Sequence, residues 1–540
     1  MNAKYNISTM ATALVLLTVM NSLPALAALP EQRDAGSNGK APRLIVGITI
    51  DQLRTDYLQA LQSKLTQGGF RRLMEEGLLF ENVTFELDNP DATSAIATLA
   101  TGSYPYQNGI TSRFIFDLQT LQRHSIFQDR DYIGFATDGS WSPRALLGST
   151  LGDELKAATQ MRGKVYSIAP EAEQALIAAG HAADGAFWID DKTGHWASTT
   201  FYHDFPNYVS QQNNSKTPLF ADPTVQGWTS QTISTGADRL APLLQASPGF
   251  THKFTSGKQV NYQWVKTSPM VNDAILKMAK QFITNSRLGL AGTTDMLQLT
   301  FYAGTYQHEK TSVYASELQD TYLQLDQTME NLLQYIDKAV GLQNAIVYLM
   351  GTGGTDEVAD DIPSLPTGEF NANRCTALLN SHLISLHGQG QWIEGFNNGQ
   401  IYLDHKLIEQ KQLKVEEVAK EAAELVSLFS GVEEVYTTQQ LLHQDYSQRI
   451  IRVRNGYNKG SGGDLVVILE PGWRLRLDDK TQPKPQSRHD VYPGPAILFA
   501  PGRVKAERIT APVEATVIAP TVAKTIRIRA PSACRELPFK

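Results

Sequence analysis

LIVGITIDQLRTDY, Leu44 to Tyr57, and NPDATSAIATLATGSYPYQNGI, Asn89 to Ile110, decide the fold. Leu44 to Ile50 is short, mostly apolar and rich in β-branched residues, the pattern of a strand buried on both faces of a parallel sheet. It ends on a carboxylate, Asp51, at the end of the strand where α/β sheets place their ligand sites. In the second run, small and hydroxyl residues enter a helix and Thr101-Gly102-Ser103 leaves it. A hydroxyl at such a helix start lies among free N–H groups and can face an anion. Asp91 or Thr93 can equally serve as an ordinary N-cap there.

Outward from these runs, helix and strand patterns alternate. Arg71 to Gly77 reads as a helix, Leu78 to Phe85 as a strand, Ser149 to Ala158 as a helix and Lys164 to Ile168 as a strand. Between 169 and 287 the alternation gives way to aromatics, Asn, Ser, Thr and Pro, which reads as an insertion. Trp188, Trp196, Tyr202 and Trp264 within it are expected to pack it. Core texture returns at the strand Met296 to Tyr302, the amphipathic helix Glu317 to Val340 and the strand Gln343 to Met350. A second insertion spans about 363–454 and carries a helix from Lys414 to Ser427. The fold class expected is α/β: a central, mostly parallel sheet flanked by helices, with two inserted subdomains and a core of about 43–168, 288–362 and 455–540.

The chain has 540 residues, 42% of them hydrophobic and 19% charged, which excludes wholesale disorder. A net charge of −7 gives no support for a nucleic-acid partner. Lys4, the apolar run Met10 to Met20 and Ala25-Leu26-Ala27 have the form of a signal peptide over 1–27, with cleavage after Ala27. Residues 28–42 read as a linker, and the folded domain as 43–540. That pattern predicts a periplasmic or secreted protein with no transmembrane segment after signal removal. Cys375 and Cys534 are the two cysteines, and spacing does not decide whether they pair.

The motifs together resemble the alkaline phosphatase superfamily, most closely the exported bacterial monoesterase-type enzymes related to nucleotide pyrophosphatase/phosphodiesterases. The landmarks are IVGITIDQLRTDY at Ile45 to Tyr57, GGFRRLMEEG at Gly68 to Gly77, ATGSYPYQNGI at Ala100 to Ile110 and AAGHAADGAFWID at Ala178 to Asp190. ELQDTYLQLD at Glu317 to Asp326, IYLDHKLI at Ile401 to Ile408, LVVILEPGW at Leu465 to Trp473 and IAPTVA at Ile518 to Ala523 complete them. The resemblance implies phosphoryl transfer at two zinc ions by a Thr or Ser nucleophile.

Carried over residue by residue, the implied site departs from that pattern. The first acid ligand matches Asp51. The nucleophile position falls on Ala92, with Thr93 one place later. An Asp and His ligand pair falls on Thr305 and Glu309, and the Asp-His dipeptide after the next strand falls on Thr352 and Gly353. The last His ligand falls near Lys484, with His489 as the imidazole of that stretch. The phosphate-binding Asn corresponds to Arg113, and a Lys-x-Arg pair to Glu171 and Glu173. Two carboxylates in place of two cations oppose a phosphate dianion.

These substitutions predict an exported, non-catalytic pseudophosphatase that binds an envelope partner or a small anionic ligand and needs no cofactor. The rival expectation is a metal-dependent phosphomonoesterase or phosphodiesterase. There, Asp51, Thr93, Glu309, Asp356 and Glu357 would assemble a single-metal site around a shifted loop, with zinc or another divalent metal held by Asp51 and Glu309 and Thr93 as the catalytic residue. No G-x-S-x-G elbow supports a serine hydrolase.

Overall fold

The computed structural model describes residues 41–215, 227–230, 249–256, 259–311, 313–354, 368–443, 447–477, 484–485 and 492–540. The expected signal segment, Asp356, Glu357 and His489 lie outside them.

An eleven-stranded sheet runs through the core. Its centre is the strand Leu44–Asp51, buried at every position. Parallel neighbours flank it on both sides, Asp295–Tyr302 on one and Ala345–Gly351 on the other. Beyond Asp295–Tyr302 follow Val165–Ile168 and Gly185–Ile189, both parallel. Beyond Ala345–Gly351 lies Gly494–Phe499, antiparallel, and then Leu78–Thr84. Alternate side chains of the central strand feed opposite layers. Leu44, Val46, Ile48 and Ile50 join one apolar cluster and Ile45 the other. The long helix Ala315–Ala339 closes the first layer with Leu318, Tyr322, Leu325, Met329 and Leu332. The helices Ala92–Thr101 and Ala172–Ala179 close the second.

The expected α/β architecture is therefore present, and both insertion boundaries move. The central sheet continues past residue 168: Gly185–Ile189 and Trp196–Thr199 belong to it. GAFWI is buried throughout, and such a continuous apolar run has no alternation by which to be recognised as a strand. Trp188, Trp196 and Tyr202 are buried packing residues there. The second subdomain also runs past 454. Its four-stranded sheet pairs Val432–Thr437 with Leu465–Leu469, and Gly368–Asn371 pairs with Trp473–Arg476. Gly354 and Tyr492 bracket the second subdomain, and the Gly354 N–H donates to the Tyr492 carbonyl at 3.0 Å. Cys375 lies in this subdomain's apolar core, where burial pushes its thiol up to about 12. Both cysteines are free thiols.

Candidate functional site

Parallel strands deliver their carboxyl ends to one edge of the sheet, and that edge gathers most of the positions singled out in the sequence. Asp51 ends the central strand, in register with Tyr302, and Ile50 pairs with Gly351. Asp51 is 4% exposed. Its Oδ1 accepts from the Thr352 hydroxyl at 3.2 Å and its Oδ2 from the Gln174 amide at 3.2 Å. Gln52 then turns the chain in the left-handed region (φ 61°). Its N–H donates to Thr352 Oγ1 at 2.7 Å, and its carbonyl accepts from Tyr322 Oη at 3.3 Å.

Helix Ala92–Thr101 opens towards the same layer. Asp91 is its N-cap, in a capping box with Ser94. The other Asp91 oxygen accepts from Arg113 N at 2.7 Å. This bonding fixes the helix start, so Ala92 is the first helical residue. Thr93 is buried one residue on, about 100° further round the axis.

Arg113, Glu171 and Glu173 form one ionic group. The Arg113 guanidinium reaches Glu171 at 3.3 Å and Glu173 at 3.1 Å. Ser125 adds a hydrogen bond to Glu173 Oε1 at 3.2 Å. Lys266, 4% exposed, reaches Glu171 at 3.2 Å and Asp191 at 2.6 Å. Burial alone would lower both cations. Glu173 and Glu171 instead raise the Arg113 value, and Glu171 and Asp191 raise that of Lys266. Each glutamate is thus paired with a cation of the chain itself, Glu173 through its Oε1 alone.

At the remaining positions Thr305 is buried and Glu309 is exposed. Lys484 pairs through its backbone with Leu475 in the second subdomain. Gly353 has φ 69°, and a Cβ there would lie 2.1 Å from the Tyr492 carbonyl. The backbone at 353 therefore admits no imidazole.

The residues described do not fit a two-zinc centre. At the positions that the sequence resemblance assigns to ligands, Thr305, Thr352 and Gly353 carry neither carboxylate nor imidazole, and Asp51 and the exposed Glu309 are the acids that remain. Among the described residues no group of three or more His, Cys, Asp or Glu is placed to hold a metal ion. What the edge does offer is hydrogen-bonding capacity. Gln52 Nε2, Gln174 Oε1, Glu173 Oε2 and Thr305 Oγ1 are buried without a partner among the described residues. Gln174, Lys266 and Asp191 carry no motif that marks them in the sequence. Only the helical proximity of Gln174 to Glu171 hints at a shared face.

A family model described as type I phosphodiesterase / nucleotide pyrophosphatase matches residues 45–492. A protein named calcium-transporting ATPase from Myroides odoratus is 30% identical over 515 residues, covering 91% of this chain and 93% of its own. Alkaline phosphatase PafA from Elizabethkingia meningoseptica is 28% identical over 529 residues, covering 91% and 92%. The crystal structure of wild-type alkaline phosphatase PafA superposes with a TM-score of 0.79 at 26% identity, covering 93% of this chain and 98% of that one.

Proposed function

The chain belongs to the type I phosphodiesterase / nucleotide pyrophosphatase family of the alkaline phosphatase superfamily, and on that premise we propose that it is a member without two-zinc phosphoryl transfer, exported to serve as a binding protein of the cell envelope. The observation that carries this reading is the state of Asp51. Both of its oxygens accept hydrogen bonds from neutral side chains, Thr352 and Gln174. One carboxylate, with Thr305, Thr352 and Gly353 at the positions matched to its partner ligands, does not organise two divalent ions. The position aligned with the nucleophile is Ala92, a methyl side chain with no atom to attack phosphorus. Fold membership leaves activity to be argued from the site, and here the site favours binding.

Export is supported by the charged start, the apolar run and Ala25-Leu26-Ala27 of the sequence. No helix among the described residues is long and apolar enough to cross a membrane. Cell fractionation and N-terminal sequencing test this part. An envelope-fraction protein beginning at Ala28 supports it, and a cytoplasmic protein retaining Met1 overturns it.

The catalytic part is tested on purified protein. Bound metal is measured, and hydrolysis of p-nitrophenyl phosphate and bis-p-nitrophenyl phosphate is followed with added Zn²⁺, Ca²⁺ or Mg²⁺. Absence of turnover above buffer under every condition is expected. Stoichiometric metal with turnover that disappears in both Asp51→Ala and Thr93→Ala would overturn the reading.

A further inference from the structure

A second site lies on the inserted subdomain, independent of the Asp51 edge. Helix Ala372–His387 packs there against the strand Ile393–Asn397. The helix buries Ala372, Cys375, Leu379 and Leu383 in the subdomain core. Asn373, Thr376 and Asn380 recur at helical spacing on the adjoining face. They line a groove of about 580 Å³ whose opposite wall carries Gln391, Glu394 and Phe396. That volume falls within the range of small-molecule sites.

The chemistry of the lining selects the ligand class. Glu394 is the one ionisable side chain among the lining residues described. Among the described lining residues there is no cation to neutralise a phosphate or carboxylate and no second acid or imidazole; Asp404, Lys406, His405 and Asp464 act on Glu394 from outside the lining. Three carboxamides and a hydroxyl supply both donors and acceptors. Sugar hydroxyls have the same double character, and the C–H face of a sugar ring stacks on an aromatic ring such as that of Phe396. Two of the amides are already oriented. Asn380 Oδ1 accepts from Trp392 N at 2.6 Å, and Gln391 Nε2 donates to the Ile393 carbonyl at 2.9 Å. Their remaining amide groups are thereby set in place before any ligand arrives, which lowers the entropy lost on binding. Burial, with Asp404 adding to it, holds the Glu394 carboxyl above its ordinary range.

We propose that the groove between Asn373, Thr376 and Asn380 on one wall and Gln391, Glu394 and Phe396 on the other binds a neutral saccharide. The ligand is a short chain of sugar rings, presented free or as part of a glycan polymer.

Isothermal titration of the full chain with maltotriose and chitotriose tests this. Ala377 lines the same face and is exposed, so Ala377→Trp fills the groove without touching the core. Saturable binding of at least one trisaccharide is expected, weakened roughly tenfold or more by Ala377→Trp and by Asn373→Ala. Inorganic phosphate is expected not to compete. Co-sedimentation with insoluble chitin or starch that is lost in Ala377→Trp would place the ligand in a polymer. The proposal fails if neither trisaccharide binds at millimolar concentration. It fails equally if binding persists in an Ala377→Trp variant whose melting temperature matches that of the parent. Neither result bears on metal content or phosphate-ester hydrolysis, so it stands or falls apart from the reading of the Asp51 edge.

Discussion

Thr352 donates its hydroxyl proton to Asp51 Oδ1 at 3.2 Å while accepting from the N–H of Gln52 at 2.7 Å. The hydroxyl ties the end of one buried strand to the residue that turns the chain out of its neighbour. Asp51 is thereby a structural acceptor, and its substitution should be read in stability. Asp51→Asn keeps the shape and one acceptor oxygen, and the Gln174 amide can rotate to match it. A loss of about 1 kcal/mol is expected in urea denaturation. Asp51→Ala leaves the Thr352 and Gln174 donors buried without their acceptor and is expected to cost about 2–4 kcal/mol. A larger loss for Asn than for Ala would contradict this account.

Lys266 is buried between two partly exposed carboxylates. Lys266→Met is expected to destabilise by about 2–3 kcal/mol, at the lower end for a broken buried pair because Glu171 and Asp191 retain solvent. The folded value of Lys266 is raised, so its contribution is fully present below the ordinary lysine range and is lost as pH rises through the folded value. The stability gap between parent and variant should hold near neutral pH and narrow in strong alkali. Chemical denaturation along a pH series measures it.

Gly353 combines φ 69° with a Cβ position 2.1 Å from the Tyr492 carbonyl. Gly353→His is therefore expected to destabilise by more than about 2 kcal/mol and to recruit no Zn²⁺. Thermal denaturation with and without Zn²⁺ is the check. A melting temperature that Zn²⁺ raises in the variant alone would mean that the loop can open to form a metal site.

His181 and Asp153 form a pair on the second layer. Asp153 accepts from the backbone N–H groups of Thr150, His181 and Ala182. It also meets His181 Nδ1 at 3.4 Å. That hydrogen bond raises the His181 value, burial opposing it. Burial alone would raise Asp153, but the hydrogen bonds from the His181 side chain and from the Thr150 and Ala182 amides lower it. The stabilisation carried by the raised histidine is present below the usual histidine value and is lost as pH rises through the folded one. His181→Gln should destabilise more in mildly acidic than in mildly alkaline buffer, as followed by melting temperature. A pH-independent difference would assign His181 a packing role alone.

The strand carrying Asp51 was legible because an apolar, β-branched run ending on an acid has few other readings. The N-cap at Asp91 was legible for the same local reason. The boundary at 169 was misplaced because the helix Ala172–Ala179 and the strand Gly185–Ile189 are both short and almost wholly apolar, so neither displays a period. The substitutions at 171 and 173 were visible, but not their neutralisation. Lys266 lies far along the chain from both, and only the folded backbone brings it there. Gln174 was invisible for a different reason. A glutamine inside a helix carries no chemical signature until its acceptor is known.

The hydrogen bond from Gly354 to Tyr492 closes the neck of the second subdomain. The described part of the subdomain also docks on the core away from this neck: Asn455 Nδ2 donates to the Glu86 carbonyl at 2.9 Å, and Arg449 reaches Asp88 at 3.5 Å. The parts of such a unit that face away from these contacts can vary without altering the strand order beneath it. The proposed saccharide groove and the sheet edge at Asp51 lie on different elements, so a substitution in one leaves the other's lining in place.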